Sequence, residues 1–237
     1  MLLASLLLKL GGYGLLRFSL TFLGGASVFF TAMVATLAIA GVIYGSLSTM
    51  RQIDLKRIIA YSSVAHMNLV ALGIFSFNRV GIEGSIYLMI AHGVVSAALF
   101  FCVGVIYDRT HTRLLRYYGG LVTVMPVFAS FFFFFNLANM GFPATPNFVG
   151  ELLMLAGIYA ALSPVVAYTG GQGVVFSAAY STLLFARVMF GTLKTKFITS
   201  FIDANRRESV ILLTLAFLAL ALGLRSDFVI TYIEATV

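Results

Sequence analysis

Residues 121–162 read LVTVMPVFASFFFFFNLANMGFPATPNFVGELLMLAGIYAAL, an apolar run too long for one straight membrane crossing. A spanning helix needs about 20 mainly apolar residues. At the centre of the run, Gly141-Phe142-Pro143-Ala144-Thr145-Pro146 should break any helix, because proline has no backbone N–H and its ring clashes with the preceding turn. The run is therefore either two full crossings or one crossing built from a broken helix, and the topology of everything after it depends on which.

Charge decides between the two. Further apolar runs lie near 2–20, 27–50, 56–77, 82–107, 172–190 and 208–224, punctuated by Gly24-Gly25, Arg51 to Arg57, Asn78-Arg79, Asp108 to Arg116, Gly170-Gly171 and Lys194 to Glu208. With one broken crossing, the loops of one side hold Arg51, Lys56, Arg57, Arg109, Arg113, Arg116, Arg187, Lys194, Lys196, Arg206 and Arg207, against Arg17, Arg79 and Arg225 on the other. With two crossings the basic residues divide equally. The positive-inside rule selects the asymmetric arrangement: seven crossings, the fifth broken, with the N-terminus on the cytoplasmic or matrix side and the C-terminus opposite.

Composition agrees with a chain solvated by lipid. Hydrophobic residues make up 61% and charged residues 10% of the 237, and mean hydropathy is +1.03. Soluble domains carry about 25% charged residues. The fold class expected is all-α, a polytopic membrane helix bundle with short loops and no separate soluble domain. The net charge of +7 is spread over short loop clusters rather than gathered into a basic, aromatic-interleaved surface, which argues against nucleic-acid binding. Cys102 is the single cysteine, which excludes an intrachain disulfide and a clustered-thiol metal site. The first run has no basic segment before it and no cleavage signal after it, so no cleaved signal peptide is expected.

Four ionisable side chains fall inside the apolar runs: Lys9, His66, His92 and Glu151. A charge at the bilayer centre costs at least about 2.5–3.5 kcal/mol, so such residues face a cavity or a partner and mark ion or proton paths by default. Lys9 sits roughly 12 Å into its helix, too deep for easy snorkelling, and burial makes its ammonium willing to give up a proton. Glu151 follows the break, near the second turn of the second half-helix, where the helix N-terminus favours its charged form and burial its neutral one. His66 and His92 can relay a proton because one ring nitrogen donates while the other accepts. Each also has a plainer role open to it: Lys9 and Glu151 as ion partners that fix packing, the histidines as hydrogen-bonded core residues. Tyr61, Ser62, Ser63 and Ser96 either extend a hydrated chain or bond backbone carbonyls. No phosphate loop is present, since Gly170-Gly171-Gln172-Gly173 follows no strand and lacks the Lys-Ser/Thr that would hold phosphate. The loop residue His111 joins no metal site.

These residues carry a resemblance. QIDLKRIIAYSSVAHMN at 52–68, LLKLGGYGLLRF at 7–18, IYLMIAHGVVSAALFFCVGVIYDRTHTR at 86–113 and NLANMGFPATPNFVGELLML at 136–155 closely resemble, in order, segments of the subunit 4 family of NADH dehydrogenase, the antiporter-like subunits M of bacterial complex I. ARVMFGTLKTKF at 186–197 is similar more weakly. The resemblance implies a fold of two inverted repeats, each with a broken helix. Residues 1–20 would be the last helix of the first repeat, 27–190 the second repeat with its broken helix at 121–162, and 208–237 the final helix and tail. It matches Lys9 to the central lysine of the family's eighth helix, His66 and His92 to the histidines of the tenth and eleventh, and Glu151 to the acidic residue of the broken twelfth. The implied path runs from Lys9 through His66 and His92 to Glu151.

The family's fifth-helix glutamate, its seventh-helix lysine and the His-Trp-Leu-Pro run before the eighth helix have no counterpart here. The expectation is that the front half is a separate polypeptide docking on this one. The function implied is that of a proton-translocating membrane-arm subunit of NADH:ubiquinone oxidoreductase in the mitochondrial inner membrane. Lipid and other membrane-arm subunits are the expected partners, with flavin, iron–sulfur clusters and quinone on other subunits and no cofactor on this chain. A multi-subunit cation/proton antiporter and a non-conducting structural half-subunit are the alternatives.

Overall fold

The computed structural model describes residues 2–193 and 202–235. Helices account for the regular structure: α1 (Leu3–Leu20), the short α2 (Gly24–Phe29), α3 (Thr31–Arg51), α4 (Leu55–Ile74), α5 (Arg79–Thr110), α6 (Pro126–Asn139), α7 (Pro146–Ala161), α8 (Pro164–Met189), α9 (Arg206–Leu224) and α10 (Asp227–Glu234). Among the described residues α1, α3, α4, α5 and α9 are long and apolar enough to cross a membrane. The only β pairing there is one isolated bridge, Asp54 to Leu114.

Helix ends follow local chemistry. Asp54 accepts the Lys56 N–H at 2.9 Å to start α4, and Asn78 accepts the Val80 N–H at 3.3 Å to start α5. Both are the side-chain caps that satisfy a first-turn donor. Helix α9 opens with a capping box between Asn205 and Glu208. The reading of 172–190 as a run set off by Gly170-Gly171 is corrected here. Helix α8 begins eight residues earlier, where Ser163 caps the Val166 N–H at 3.2 Å and Pro164 sits at the first helical position. Its glycines are packing positions, Gly170 against Leu69 and Leu72 and Gly173 against Val42, as small residues serve in membrane helix interfaces.

Helices α5 and α7 form the tightest seam. A Cβ on Gly157 would strike Gly81, one on Gly84 would reach Met154 and Leu153, and one on Gly150 would lie 2.9 Å from Leu88. The pairs 81–157, 84–154 and 88–150 fix an antiparallel register. Helix α7 therefore runs toward the end of the bundle where α5 begins.

That register resolves the broken crossing. Helix α6 starts at the end where α5 finishes, because Asp203, beside Arg109, accepts the Val127 and Phe128 N–H groups. Helix α7 continues to the opposite end, so 126–161 crosses once, as the charge asymmetry predicts. The two β-type bonds Leu55 N–H to Arg113 O and Leu115 N–H to Ile53 O, both 2.9 Å, and Gly120 N–H to Phe190 O at 3.1 Å, gather the α3–α4 loop, the end of α5 and the end of α8 on one face. Arg51, Lys56, Arg57, Arg109, Arg113, Arg116, Arg187, Arg206 and Arg207 all belong to that face. Arg17, Arg79 and Arg225 belong to the other. Lys194 and Lys196 lie outside the described residues, as does the end of the tail at 236–237.

Candidate functional site

The break spans residues 140–145. Gly141 takes φ +72°, a left-handed conformation that glycine adopts without steric cost, and its missing Cβ leaves space that the Glu151 carboxylate occupies. Glu151 is held in the interior by α7 and is 3% exposed. The interrupted backbone thus makes room for a buried carboxylate at membrane depth, where irregular backbone survives only inside protein or beside a cavity.

The four residues singled out in the sequence converge. The Lys9 ammonium donates to the Ala4 carbonyl and lies 3.0 Å from His92 Nδ1. The His92 and His66 rings are 5.1 Å apart between centroids. His66 Nδ1 is 3.4 Å from Glu151 Oε1. The spatial order is Lys9, His92, His66, Glu151, which reverses the two histidines of the path as first read. The reason is packing: α5 lies against α1 and presents His92 to Lys9, while α4 lies against α7 and α8 and presents His66 to Glu151. Both histidines are buried. Lys9 is half-buried, on the flank of an apolar groove formed by Leu6, Tyr13, Ile90, Val94, Ala97 and Leu215.

Of the two roles open to the neighbouring hydroxyls, the serines take the backbone one. Ser62 and Ser63 both donate to the Ile59 carbonyl, at 2.8 and 3.0 Å, and Ser96 faces the Gly93 and Ala4 carbonyls, so all three bond backbone. Tyr61 points outward. The hydroxyl that joins the site is Tyr180 on α8, 3.3 Å from His66 Nε2. If the phenol donates, neutral His66 carries its proton on Nδ1, facing Glu151. Val42, Ala65, Leu69 and Val174 close over His66, Glu151 and Tyr180 around a cavity of about 10 Å3 for the centre of a water-sized sphere, roughly the room one water needs.

Sequence reading passed over Tyr180, Asn139 and Asn147, uncharged residues whose importance comes only from what they touch. Asn139 donates to Ser181 Oγ at 3.3 Å, tying the end of α6 to α8 beside the break. It also passed over Glu83, a buried carboxylate on α5. Glu83 accepts from Arg79 Nε at 2.7 Å, while Arg79 Nη2 donates to the Glu234 carbonyl, so this pair ties α10 to the less basic end of the bundle.

The family model described as NADH:quinone oxidoreductase/Mrp antiporter, TM, matches residues 1–177. The chain belongs to this family. Among its members, NADH-ubiquinone oxidoreductase chain 4 of Chondrus crispus is 53% identical over 94% of this chain and 45% of its own length. NADH-quinone oxidoreductase subunit M of Rhodobacter capsulatus is 46% identical over 99% of this chain and 46% of its own. The chain thus spans about half the length of the curated relatives it matches. In structure it is similar to a chain of respiratory complex I from Thermus thermophilus with bound NADH, at TM-score 0.85, 29% identity and coverage of 96% of this chain and 48% of that one. A chain of a Dietzia Mrp complex superposes at TM-score 0.83 with 19% identity, covering 95% of this chain and 50% of that one, which shows a shared fold.

Proposed function

We propose that this chain is the rear, proton-conducting part of an antiporter-like membrane-arm subunit of NADH:ubiquinone oxidoreductase in the mitochondrial inner membrane. The observation that carries the proposal is the line of four ionisable groups from Lys9 through His92 and His66 to Glu151, held side by side in the interior of a membrane bundle at the cost that burying such groups carries. The names of the relatives at 44–56% identity support placing it in complex I rather than in a cation/proton antiporter.

In this reading residues 1–20 close the first repeat, 27–190 are the second repeat around its broken helix, and 208–237 are the helix and tail that follow it. The half-buried face of Lys9 receives protons from the remaining half of the fold, which the relatives carry in their other half and which meets this chain along α1. Lys9 Nζ hands a proton to His92 Nδ1, internal water carries one between the two rings, whose centroids are 5.1 Å apart, and His66 Nδ1 delivers it to Glu151 for release. Other membrane-arm subunits and lipid surround the bundle. The redox chemistry of flavin, iron–sulfur clusters and quinone belongs to other subunits, and this chain contributes charge movement. The basic face lies in the matrix and the N-terminus with it, while the C-terminus lies toward the intermembrane space.

The test is NADH-driven proton uptake by sealed membranes containing the assembled complex, measured beside NADH:quinone oxidation. Lys9→Met and Glu151→Gln should each lower pumping at least about tenfold, equivalent to about 1.4 kcal/mol on the transfer barrier. Full pumping in both variants would refute the path, and pumping that requires sodium would move the chain to the cation/proton antiporters.

A further inference from the structure

Six buried side-chain atoms among the described residues find no hydrogen-bond partner, and four of them lie on three residues of one seam: His92 Nε2, Glu151 Oε1, and both Oδ1 and Nδ2 of Asn147. Asn147 and His92 are fully buried and Glu151 nearly so. Buried polar atoms are almost always paired by protein or ordered water, and leaving one bare costs its full desolvation. Four orphans in one neighbourhood mark an occupant.

The register places them together. With 81–157, 84–154 and 88–150 as facing pairs, Asn147 lies opposite Ala91, next to His92. On α7, positions 147, 150, 154 and 157 form the stripe against α5. Asn147 falls on the side of that stripe toward Glu151, one turn away at i+4. Donor and acceptor roles agree with this placement. The Lys9 ammonium can only donate, so at 3.0 Å His92 Nδ1 is the acceptor and a neutral His92 carries its proton on Nε2. That proton is therefore a buried donor aimed at no protein acceptor, in an interior where a whole carboxamide is also bare and Glu151 Oε1, with only the His66 Nδ1 ion-pair contact at 3.4 Å, accepts no hydrogen bond.

We propose that Asn147, His92 Nε2 and Glu151 Oε1 together bind ordered water, and that Asn147 is a positioning residue that holds this water as a direct link from His92 to Glu151, parallel to the route through His66. This rests on the proton-path reading above. The transfer balances as a single displacement. Lys9 loses one proton to Nδ1 and His92 Nε2 gives its proton to the water. The water passes one of its own to Glu151 Oε1, leaving the water unchanged, His92 neutral in its other tautomer and the carboxylate protonated. The Asn147 carboxamide, able to accept through Oδ1 and donate through Nδ2, fixes the water without taking part in the charge movement.

The experiment uses the assembled complex. Asn147→Leu fills the volume with apolar atoms, and Asn147→Ser keeps a hydroxyl and leaves space for a second water. Native gels report assembly, and pumping and oxidation are measured as for the path itself. Asn147→Leu should assemble normally and lower pumping roughly tenfold, with Asn147→Ser keeping most of it. Equal behaviour of the two variants, whether both pump normally or both fail, would overturn the proposal. Should Asn147→Leu fail to assemble, the unsubstituted complex decides by electron cryomicroscopy at a resolution that shows waters elsewhere. Density within hydrogen-bond reach of both Asn147 and His92 Nε2 supports the link, and its absence there overturns it. Glu151→Gln, run in parallel, separates the two ideas. If it pumps normally the whole path falls. If it stops pumping while Asn147→Leu pumps normally, only the water link falls.

Discussion

The hydroxyl of Tyr180, 3.3 Å from His66 Nε2, bears on which nitrogen of His66 carries the proton. If it donates to Nε2, the proton of neutral His66 sits on Nδ1, 3.4 Å from the carboxylate, the tautomer the proposed relay needs. Tyr180→Phe removes the donor without changing the bulk of the ring. It should slow NADH-driven pumping several-fold while NADH oxidation by an uncoupled preparation is unchanged, a milder loss than Glu151→Gln because the wrong tautomer still exchanges through water. Equal pumping in Tyr180→Phe and the unsubstituted complex would remove the hydroxyl from the relay. At this scale the sequence shows charges and hides neighbours. Lys9, His66, His92 and Glu151 stand out because ionisable groups in apolar runs are costly, whereas Tyr180, Asn139 and Asn147 look like any tyrosine or asparagine until α8, α6 and α7 bring them to the break. The order of the histidines is equally hidden, since it depends on α5 rather than α4 presenting its histidine to Lys9.

Among the elements, the broken crossing joins backbone geometry to chemistry. Gly141 is required twice, for its φ of +72° and because a Cβ there would collide with the Glu151 carboxylate. Gly141→Ala should cost about 1–2 kcal/mol in backbone strain and also push the carboxylate off the His66 side, so pumping falls more than thermal stability does. Ala144, at φ +72°, has the opposite expectation. Ala144→Gly relieves a left-handed non-glycine residue and should raise the melting temperature of the detergent-solubilised complex or leave it unchanged, with pumping intact. The prolines made this break legible, because their lost N–H and ring clash act through local chain alone. Gly170-Gly171 misplaced only the start of α8, for the complementary reason. Glycine marks a turn in soluble segments but a close helix contact in lipid, and only the positions of Leu69 and Leu72 on the neighbouring helix tell the two apart.

Over the whole molecule, one face collects the basic loops and one ion-paired clasp. Arg109 makes two hydrogen bonds to Glu208, at 2.7 and 3.2 Å, and two more to the Ile202 and Asp203 carbonyls. Asp203 in turn accepts the first N–H groups of α6. The pair is only about one-eighth exposed, so removing one partner strands the other, and Arg109→Ala should destabilise the bundle by about 2 kcal/mol or more. Arg109→Ala combined with Glu208→Ala should lose less than the two single losses added, which thermal unfolding of the four variants measures. The clasp closes the same end that carries Arg51, Lys56, Arg57, Arg113 and Arg116, against Arg17, Arg79 and Arg225 at the other. An asymmetry of this size sets the orientation of a polytopic chain. The imbalance was already visible in the sequence because it depends only on how many times the chain crosses; packing had to show that 126–161 runs the length of the bundle once. Orientation follows as the prediction with the widest reach. A cysteine at Lys56 should react with an impermeant maleimide only in vesicles that expose the matrix face, and one at Arg225 only in those that expose the other, while the buried Cys102 stays silent in both. The reverse pattern would invert the direction of the proposed path.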